Sequence, residues 1–343
     1  MTPRTLRLPA AAAMLAAAAL ALTGCSGSAA GSAASGGTKT VSLSLVRQLG
    51  TGDYYEQWLS GAQAEAKTLG AKLTVYDAAG DNAKQALNLQ QATATQPGAI
   101  IVDHGFTDSL KAPVKAAIDA KIPIVSFDVD TGSAGVTTVD QSDATIAKDI
   151  TDKLVSDTKA SAQVIYAYVA GYAPLDKRNA VWKSVQAANP GLKQVAQVGV
   201  VNDSTAAQTA DQVKAALQAH PGVTAILAPY DEFAKGAVQA VDELKLQGRV
   251  KVYGADISNA DISAITAASS PWVATAATDP ANVGAVTVRA AYLKATGGTV
   301  DSAIEVPPAL ITQDVLRSKR ITTVPDLVKA FPGLSTPTIA PVQ

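Results

Sequence analysis

The feature that most constrains the fold is a regular alternation of apolar strand-like runs and amphipathic helical stretches, which repeats about every 25 to 30 residues from Val41 onwards. The strand-like runs are nearly continuous in apolar residues, as in AIIVDH at 99–104 and IPIVSFD at 122–128. Such runs are typical of parallel strands that helices cover on both faces. A chain of 343 residues is long enough for two domains. The sequence therefore predicts an α/β protein with two doubly wound parallel sheets.

The periodicity also predicts where the individual elements lie. The predicted strands cover residues 41–46, 72–77, 99–104, 122–128, 135–140, 163–170, 194–201, 223–229, 250–256 and 272–277. The predicted helices cover residues 54–69, 82–95, 108–120, 144–158, 176–188, 205–219, 231–245, 259–267 and 280–295.

The first residues of the chain are typical of an export signal. Arg4 and Arg7 precede an apolar run from Leu8 to Leu22, and the run ends in LTGC, which contains the only cysteine, Cys25. A basic start, a short apolar stretch and a small-residue cleavage site indicate a secretory signal peptide, which we expect to end at residue 24. LTGC resembles the lipobox of bacterial lipoproteins, in which the cysteine becomes the lipid-bearing N-terminus.

A tether without apolar bulk follows the cysteine. The run SGSAAGSAASGG has the Gly/Ser composition of a flexible linker, which we expect to cover residues 25–38. No later stretch reaches the ~18–20 continuous apolar residues that a spanning helix needs. Two acyl chains on one cysteine suffice for stable anchoring. The sequence therefore predicts an extracytoplasmic protein that is attached to the membrane by its lipid alone.

Charge and composition exclude several classes of function. The chain carries 28 Lys and Arg against 29 Asp and Glu, a formal charge of −1. Nucleic-acid binders normally show a clustered basic excess, so we expect no nucleic-acid partner. One cysteine and two histidines leave too few ligands for a Cys-rich or His-rich metal centre. We therefore predict neither a metal nor a cofactor.

Polar residues follow most of the predicted strands in both domains. Ligands of open α/β sheets collect just outside the carboxyl ends of the strands, so these residues are candidates for a shared cleft. Any single Asp among them is also explained as the cap of the next helix. The set as a whole favours a cleft, and it consists of Arg47, Gln48, Asp103, His104, Asp128, Asp130, Tyr172, Asn202, Asp203, Tyr230, Asp231, Asp256, Thr278 and Asp279.

Motifs for catalysis are absent from the sequence. The chain contains no G-x-S-x-G elbow, no G-x-x-x-x-G-K-[ST] loop, no G-x-G-x-x-G fingerprint and no H-E-x-x-H. Asp128 and Asp130 share a face if the strand continues through them, and such a pair can serve acid/base chemistry or hold a metal. No His or Cys is placed in sequence to complete a catalytic set. Ligand binding or helix capping explains the pair better, so we predict that the protein is not an enzyme.

Five stretches together carry a resemblance to a known family. They are YYEQWLSGAQAEAKTLGAKLTVYDAAGD at 54–81, IPIVSFDVD at 122–130, AHPGVTAILAPYDEFAKGAVQAV at 219–241, VYGAD at 252–256 and DPANVGA at 279–285. The chain resembles the ribose-type (cluster B) substrate-binding proteins of bacterial ABC transporters, which have the type I periplasmic binding protein fold. The similarity covers roughly residues 40–315, which is nearly all of the predicted folded part.

The resemblance implies a division of the chain that periodicity alone would miss. In this family the chain crosses three times between two doubly wound parallel-sheet lobes, whereas periodicity suggests a serial split. The resemblance implies an N-lobe of residues 39–140 plus 279–302 and a C-lobe of residues 141–278 plus 303–325. We expect residues 326–343 to form a Pro-rich peripheral tail.

The family's ligand-binding residues match several positions of this chain. The aromatic pair that sandwiches the sugar ring falls on Tyr54 and Tyr55, and the aspartate after the fourth strand falls on Asp128. Arg178 matches the arginine of the first C-lobe helix, and Asp256 matches the aspartate that binds from the far lobe. Aromatic walls with charged hydrogen-bonding groups suit a sugar, whose faces are apolar and whose edges carry hydroxyls.

Other positions depart from the ribose pattern. Val129 replaces the arginine that follows Asp128, Gly52 and Tyr230 replace asparagines, and Thr278 replaces a glutamine. Three features look more like the rhamnose and autoinducer-binding branch. They are FDVD at 127–130, the base Arg47 at the end of the first strand, and LAPYD at 227–231. The resemblance thus implies these ligand-binding residues: Arg47, Tyr54, Tyr55, Asp128, Asp130, Asp176, Arg178, Asn202, Tyr230, Asp231, Asp256 and Thr278.

The expected function is that of a monomeric, lipid-anchored solute-binding protein. It would capture a small carbohydrate between its lobes and deliver it to an ABC transporter permease. A pentose, a hexose, a deoxy-sugar and a polyol all remain open as ligands. A sensor for a furanosyl signal molecule would use the same cleft, and an exported carbohydrate-active enzyme would need two carboxylates ~5–10 Å apart across it.

Overall fold

Residues 40–335 and 338–339 are described by a computed structural model of the chain. The predicted signal peptide, Cys25 and the tether lie outside the described residues. From Thr40 onwards the chain forms one compact unit. None of the helices in this part of the chain is long and apolar enough to cross a membrane.

The described residues contain the predicted alternation of strands and helices. In chain order the strands are β1 (Ser42–Arg47), β2 (Lys72–Asp77), β3 (Ala99–Asp103), β4 (Ile124–Phe127), β5 (Thr137–Asp140), β6 (Ala162–Ala167), β7 (Leu192–Val198), β8 (Val223–Ala228), β9 (Lys251–Ala255), β10 (Trp272–Ala277), β11 (Ala303–Glu305) and β12 (Ala309–Thr312). The helices are α1 (Asp53–Thr68), α2 (Asn82–Ala94), α3 (Thr107–Asp119), α4 (Asp143–Thr158), α5 (Ala173–Ala188), α6 (Thr205–Ala219), α7 (Asp231–Glu243), α8 (Asn259–Thr266), α9 (Pro280–Ala295), α10 (Gln313–Ser318) and α11 (Val324–Ala330).

The strands form two six-stranded sheets of matching order. The first sheet has the order β11-β5-β4-β3-β1-β2, with all neighbours parallel. The second has the order β12-β10-β9-β8-β6-β7, and only β12 is antiparallel to its neighbour. Every residue of β3 and β4 is buried, as expected when helices cover both faces. We call the two sheets with their helices the first and second lobes; they confirm the expected fold class.

The chain passes between the sheets three times, after β5, after β10 and after β11. The third crossing differs from the expectation, which began the last C-lobe segment at residue 303. Ala303–Glu305 pairs with β5 and therefore belongs to the first sheet, so the crossing follows Glu305. A strand of three residues is too short to show an alternating pattern in the sequence.

The described part of the expected peripheral tail packs onto the protein instead. It contains α11 and a 3-10 turn at Pro332–Ser335, and the side chains of Leu327 and Leu334 are buried. Asn282 Nδ2 on α9 donates a hydrogen bond of 3.0 Å to the carbonyl oxygen of Leu334. Pro325 lies in the first turn of α11, where a missing N–H has no cost, so a Pro-rich composition did not prevent a helix there.

Helices α1 and α9 pack backbone against backbone. A Cβ atom at Gly61 would lie 2.1 Å from the carbonyl oxygen of Ala281, and one at Gly284 would lie 2.2 Å from that of Trp58. These separations are shorter than any carbon–oxygen contact between non-bonded atoms. The two glycines therefore permit an approach that no other residue type allows.

We expect Gly284→Ala to lower the free energy of unfolding by about 1–3 kcal/mol, because the new methyl group forces the two helices apart. Urea denaturation of the chain starting at Thr38 measures the change. Gly333→Ala is the control, because a Cβ atom there has no neighbour within 4 Å. Equal denaturation midpoints for the two variants would show that the helices are not in tight contact.

Candidate functional site

A cavity with an empty volume of about 410 Å³ lies between the two lobes, where the strands of both sheets reach their carboxyl ends. This is the position at which open α/β sheets bind ligands. Residues of both lobes and of the first crossing line this cavity. The lining residues are Tyr54, Tyr55, His104, Gln141, Tyr172, Pro174, Leu175, Arg178, Val201, Tyr230 and Asp256.

Tyrosines form an aromatic wall on both sides of the cavity. Tyr54 and Tyr55 occupy the first turn of α1, with their rings 5.8 Å apart and nearly perpendicular. Tyr230 comes from the opposite lobe, directly before α7. Burial raises the pKa of all three hydroxyls well above the usual value, so they stay neutral donors. The Tyr54 hydroxyl is buried and has no partner among the described residues.

Arg178 is the central cation of the site. It lies on α5 and is buried, with an exposed fraction of 3%. Its Nε donates to Asp143 Oδ1 at 2.9 Å, and its Nη1 donates to the Pro229 carbonyl oxygen at 2.8 Å and to Asp256 Oδ2 at 3.3 Å. Burial alone would lower its pKa, but Asp256 and Asp143 raise the pKa above the ordinary arginine value. The guanidinium is therefore permanently charged and fixed in direction.

Asp128 lies behind the cavity wall and is held by the first crossing. Gln141 Nε2 donates to Asp128 Oδ2 at 2.7 Å, and Thr278 Oγ1 donates to Gln141 Oε1 at 3.0 Å. The second oxygen, Asp128 Oδ1, is buried and lacks a partner among the described residues. Burial, and then the nearby carboxylate of Asp143, raises the pKa of Asp128 well above its usual range. The protonated form of this carboxyl is therefore favoured.

Three site residues adopt the left-handed backbone conformation. His104, Asp128 and Asp256 directly follow β3, β4 and β9, with φ angles of 54°, 50° and 69°. Non-glycine residues rarely adopt such angles, and they persist where the surrounding structure compensates their cost. Here the turn ends each strand abruptly and directs the side chain to the cleft edge of the sheet.

Two more of the expected ligand residues lie behind the wall, as Asp128 does. Arg47 is buried; its Nε donates to Asp103 Oδ2 at 3.0 Å, and its Nη2 donates to the Tyr55 carbonyl oxygen at 3.2 Å. Thr278 is fully buried and holds Gln141. Both residues therefore position the wall and do not form it.

Asp130 and Asp176 are exposed and lie away from the cavity wall. Asp130 Oδ1 accepts a hydrogen bond of 2.8 Å from the backbone N–H of Gly132. Asp176 accepts one of 2.6 Å from the Tyr168 hydroxyl. The expectation that Asp130 shares a face with the first Asp of FDVD is wrong, because strand alternation ends at the left-handed turn of Asp128.

Asn202 and Asp231 also lie outside the cavity. Asn202 lines an adjoining groove of about 590 Å³ empty volume, which shares Tyr230 with the cavity. Asp231 is buried at the start of α7, where its carboxylate faces Lys235 at 3.8 Å. Burial, and then the carboxylate of Asp261, raises the pKa of Asp231.

Sequence reasoning did not assign a ligand contact to six residues of the wall. His104 and Tyr172 belong to the strand-end set, so their position could be anticipated. Gln141 directly follows β5, whose end at residue 140 was predicted, so its position at the strand end could also be anticipated. Nothing in the sequence distinguishes Pro174, Leu175 and Val201 from core residues. The list of wall residues without a predicted contact is His104, Gln141, Tyr172, Pro174, Leu175 and Val201.

Three carboxylates at the first crossing lie close enough to share a cation. One oxygen each from Asp128, Asp140 and Asp143 lies within 4.8 Å of the others. The Lys177 ammonium contacts Asp140 and lies 3.7 Å from Asp143, to which Arg178 also donates. Two side-chain cations therefore already pair with carboxylates of this cluster.

The two lobes touch at the edges of the cavity. Lys235 Nζ on α7 donates to Asp53 Oδ2 on α1 at 2.6 Å, and the Asp203 carboxylate accepts from the Thr51 hydroxyl at 2.9 Å. The ring of Phe106 packs edge-to-face on that of Tyr172, with centroids 4.8 Å apart. The cavity is therefore closed on several sides by contacts between lobes.

Comparison with known proteins agrees with this fold. A family model described as a periplasmic binding protein domain matches residues 44–299. The 5-methylthioribose transporter solute-binding protein of Thermotoga lettingae, solved with 5-methylthioribose, is 39% identical with a TM-score of 0.84, over 86% of this chain and 93% of that one. A sugar ABC transporter protein of Yersinia enterocolitica is 30% identical with a TM-score of 0.83, over 87% and 91%.

A curated relative extends the comparison. The ribose import binding protein of Salmonella typhimurium is 27% identical over 201 residues, which are 58% of this chain and 67% of that protein. These proteins are solute-binding proteins of ABC transporters and not enzymes. The chain therefore belongs to the periplasmic binding protein family, as a solute-binding protein of the sugar ABC transporter type.

Proposed function

We propose that the protein captures a small carbohydrate in the cavity between its lobes and delivers it to an ABC transporter permease. The observation that carries the proposal is the combination, in one cavity, of aromatic walls with a buried ion pair between Arg178 and Asp256. Tyrosine rings suit the apolar faces of a sugar ring. Arg178 Nη2 keeps one hydrogen that the contacts with Asp143, Pro229 and Asp256 do not use, and the Asp256 carboxylate offers acceptors; both suit the hydroxyl edge of the sugar.

The preferred ligand is a pentose in which an apolar group replaces one hydroxyl. Pro174, Leu175 and Val201 give the second-lobe side of the cavity an apolar surface. A free pentose would leave a hydroxyl facing this surface without a partner, which is costly. A methylthio group would bury its carbon and sulfur there instead. The Thermotoga lettingae relative was solved with 5-methylthioribose, which makes this sugar the first probe.

Capture would be coupled to closure of the two lobes about the three crossings. The interlobe contacts of Asp53 with Lys235 and of Thr51 with Asp203 belong to the closed arrangement. A ligand shifts the equilibrium between open and closed forms only if it binds one of them better. A sugar that touches both lobes at once meets this condition, because in the open form it can contact only one lobe at a time.

The proposal includes an extracytoplasmic location with a lipid on Cys25. Its support is the sequence: Arg4 and Arg7 precede an apolar run, and the run ends in LTGC with the single cysteine of the chain. The Gly/Ser tether would then hold the folded part at the membrane surface while leaving it free to reach a permease.

We expect the chain starting at Thr38 to bind 5-methylthioribose at least about tenfold more tightly than ribose, because the methylthio group buries the equivalent of about two methylenes at ~0.8 kcal/mol each. Isothermal titration calorimetry measures both affinities. Val201→Thr, which adds a hydroxyl to the apolar surface at similar volume, should reduce the ratio. Val169→Thr changes a half-buried valine outside the cavity and should leave the ratio intact.

Two results would contradict different parts of this proposal. Tighter binding of ribose than of 5-methylthioribose would contradict the apolar subsite and leave sugar capture standing. Failure to bind any member of a panel of pentoses, hexoses, deoxy-sugars and polyols would contradict sugar capture itself.

We expect Asp53→Asn to accelerate ligand release up to about fivefold, the upper end for a partly exposed ion pair, because the variant loses the interlobe contact with Lys235. Stopped-flow release of 5-methylthioribose measures the rate. Glu56→Gln is the matched control: Glu56 lies in the same first turn of α1 but forms no ion pair within the described residues. Equal release rates for the two variants would show that the Asp53–Lys235 pair does not hold the lobes together.

We expect Cys25→Ser to abolish lipid labelling of the full chain in a bacterium that processes lipoproteins, because the variant lacks the thiol that accepts the lipid. Metabolic labelling with palmitate and separation of membranes from the soluble fraction provide the measurement. Ser32→Ala, a change within the tether, is the control and should stay labelled. Labelled Cys25→Ser protein would contradict the anchor.

A further inference from the structure

Lys235 lies at the contact between the lobes, with four carboxylates around its ammonium group. Its Nζ donates to Asp53 Oδ2 and to Glu232 Oε1, each at 2.6 Å, and lies 3.6 Å from Asp261 Oδ1 and 3.8 Å from Asp231 Oδ2. We call these five residues the Lys235 cluster. With every group ionised, four negative charges would face one positive charge, so a bound proton would stabilise the cluster.

Two carboxyls of the cluster, those of Asp231 and Asp261, are enclosed, and we call them the buried pair; their exposed fractions are 0%. Asp231 Oδ1 accepts from the backbone N–H of Glu232 at 2.8 Å, whereas Asp231 Oδ2 has no hydrogen-bond partner among the described residues. Burial raises the pKa of Asp261 to about 6, although Lys235 and the Ser258 hydroxyl lower it. Burial, and then the Asp261 carboxylate, raises the pKa of Asp231 well above its usual range. The two carboxyls therefore titrate together.

Three further titratable groups face the buried pair or the contact between the lobes. Asp256 after β9 raises the pKa of Asp231, and the neighbouring Tyr230 hydroxyl stays neutral. Glu56, in the first turn of α1, lines a groove between α1 and the start of α8 and forms no ion pair within the described residues. In the described part of the chain, Lys235 supplies the only Lys, Arg or His nitrogen within 4 Å of either carboxylate of the pair.

Asp53 is the member of the cluster that comes from the first lobe. It begins α1, whereas Asp231, Glu232 and Lys235 lie on α7 and Asp261 lies on α8. Opening of the lobes would therefore remove Asp53 and leave the other four members together. The negative charge of Asp53 raises the pKa of Asp261. Asp53 also shares the ammonium group that would otherwise stabilise the ionised pair, so the closed form binds a proton more tightly than the open form.

We propose that closure of the lobes takes up a proton from the solvent at the buried carboxyls of Asp231 and Asp261, so that the protein binds its sugar more tightly in mildly acidic than in neutral solution. The inference rests on the proposed capture of a sugar by lobe closure and deepens it, since the proton is a second ligand of the closed form. By reciprocity, opening of the lobes releases this proton. Asp53 and Lys235 act as positioning residues, because they set the proton affinity of the pair without holding the proton.

The direction of the pH dependence follows from the difference between the two forms. The pKa of Asp261 is about 6 in the closed arrangement and lower once Asp53 has left, so protonation stabilises the closed form as the pH falls through this value. Between about pH 7.5 and about pH 5.5 we expect the affinity for 5-methylthioribose to rise by up to about fourfold, the limit for an open form with an ordinary carboxyl. At about pH 6, binding should take up at most about half a proton.

Titration calorimetry in buffers of different ionisation enthalpy measures this uptake, because each proton drawn from the buffer adds the heat of the buffer. We use the chain starting at Thr38 and the sugar of the panel that binds, with 5-methylthioribose first. Asp53→Asn should lose the uptake at the cluster, and so should the double variant Asp231→Asn with Asp261→Asn. Glu56→Gln is the matched control and should keep it. Protons taken up elsewhere persist in all variants, so the difference between variants is the share of the cluster.

Carboxyl ¹³C NMR tests the buried pair without any sugar. Asp261→Asn assigns the Asp261 signal of the labelled chain starting at Thr38. We expect this signal to titrate with a midpoint near pH 6, because the carboxyl is enclosed. A midpoint at the ordinary aspartate value of about 4 would overturn the proposal, whether or not a sugar binds.

The outcomes separate this inference from the proposed function. Sugar binding with the same proton uptake in the wild type, in Asp53→Asn and in the double variant would overturn the inference alone. A merely structural role of Asp53 predicts this result, since it changes the affinity equally at every pH. A wild-type protein that binds no sugar of the panel would overturn sugar capture and the coupling together, whatever midpoint Asp261 shows.

Discussion

The shape of the cavity depends on the hydrogen bonds that pair one buried guanidinium, that of Arg178. Arg178 reaches Asp143 at the first crossing, the carbonyl oxygen of Pro229 before α7, and Asp256 after β9. Removing an ion from water is expensive unless its donors are matched by acceptors in good geometry. Three separate segments must therefore keep their relative positions. This requirement fixes the second-lobe part of the wall before any ligand is present.

Much of the fold follows from the sequence, because long elements with one dominant period are unambiguous. The helix predicted at 280–295 is Pro280–Ala295, and the strand predicted at 72–77 is Lys72–Asp77. The elements that escaped prediction are β11, β12, α10 and α11, whose three to seven residues hold less than two turns or three pleats. The positions of the two strands are set by pairing with distant strands, which a local pattern does not contain.

The candidate site was predictable to a smaller extent. Resemblance to a family placed Tyr54 and Arg178 at positions where the structure has cavity wall. The resemblance could not distinguish residues that line the cavity from residues that hold the lining in place, because both kinds are polar side chains at strand ends. Arg47 illustrates this: its guanidinium is directed to Asp103, a partner 56 residues away in sequence. The sequence does not identify apolar wall residues such as Val201, since an apolar residue at such a position is equally expected in the hydrophobic core.

The contact between α1 and α9 has a mechanical consequence. Helix α1 begins with the tyrosine wall, and α9 begins at the second crossing between the lobes. Where Gly61 and Gly284 let the two backbones touch, no side chain lies between them that could change rotamer and absorb a displacement. The two helices must therefore move as a single rigid body. We therefore expect a displacement of the aromatic rings on α1 to be coupled to the second crossing, which links ligand recognition to rotation of the lobes.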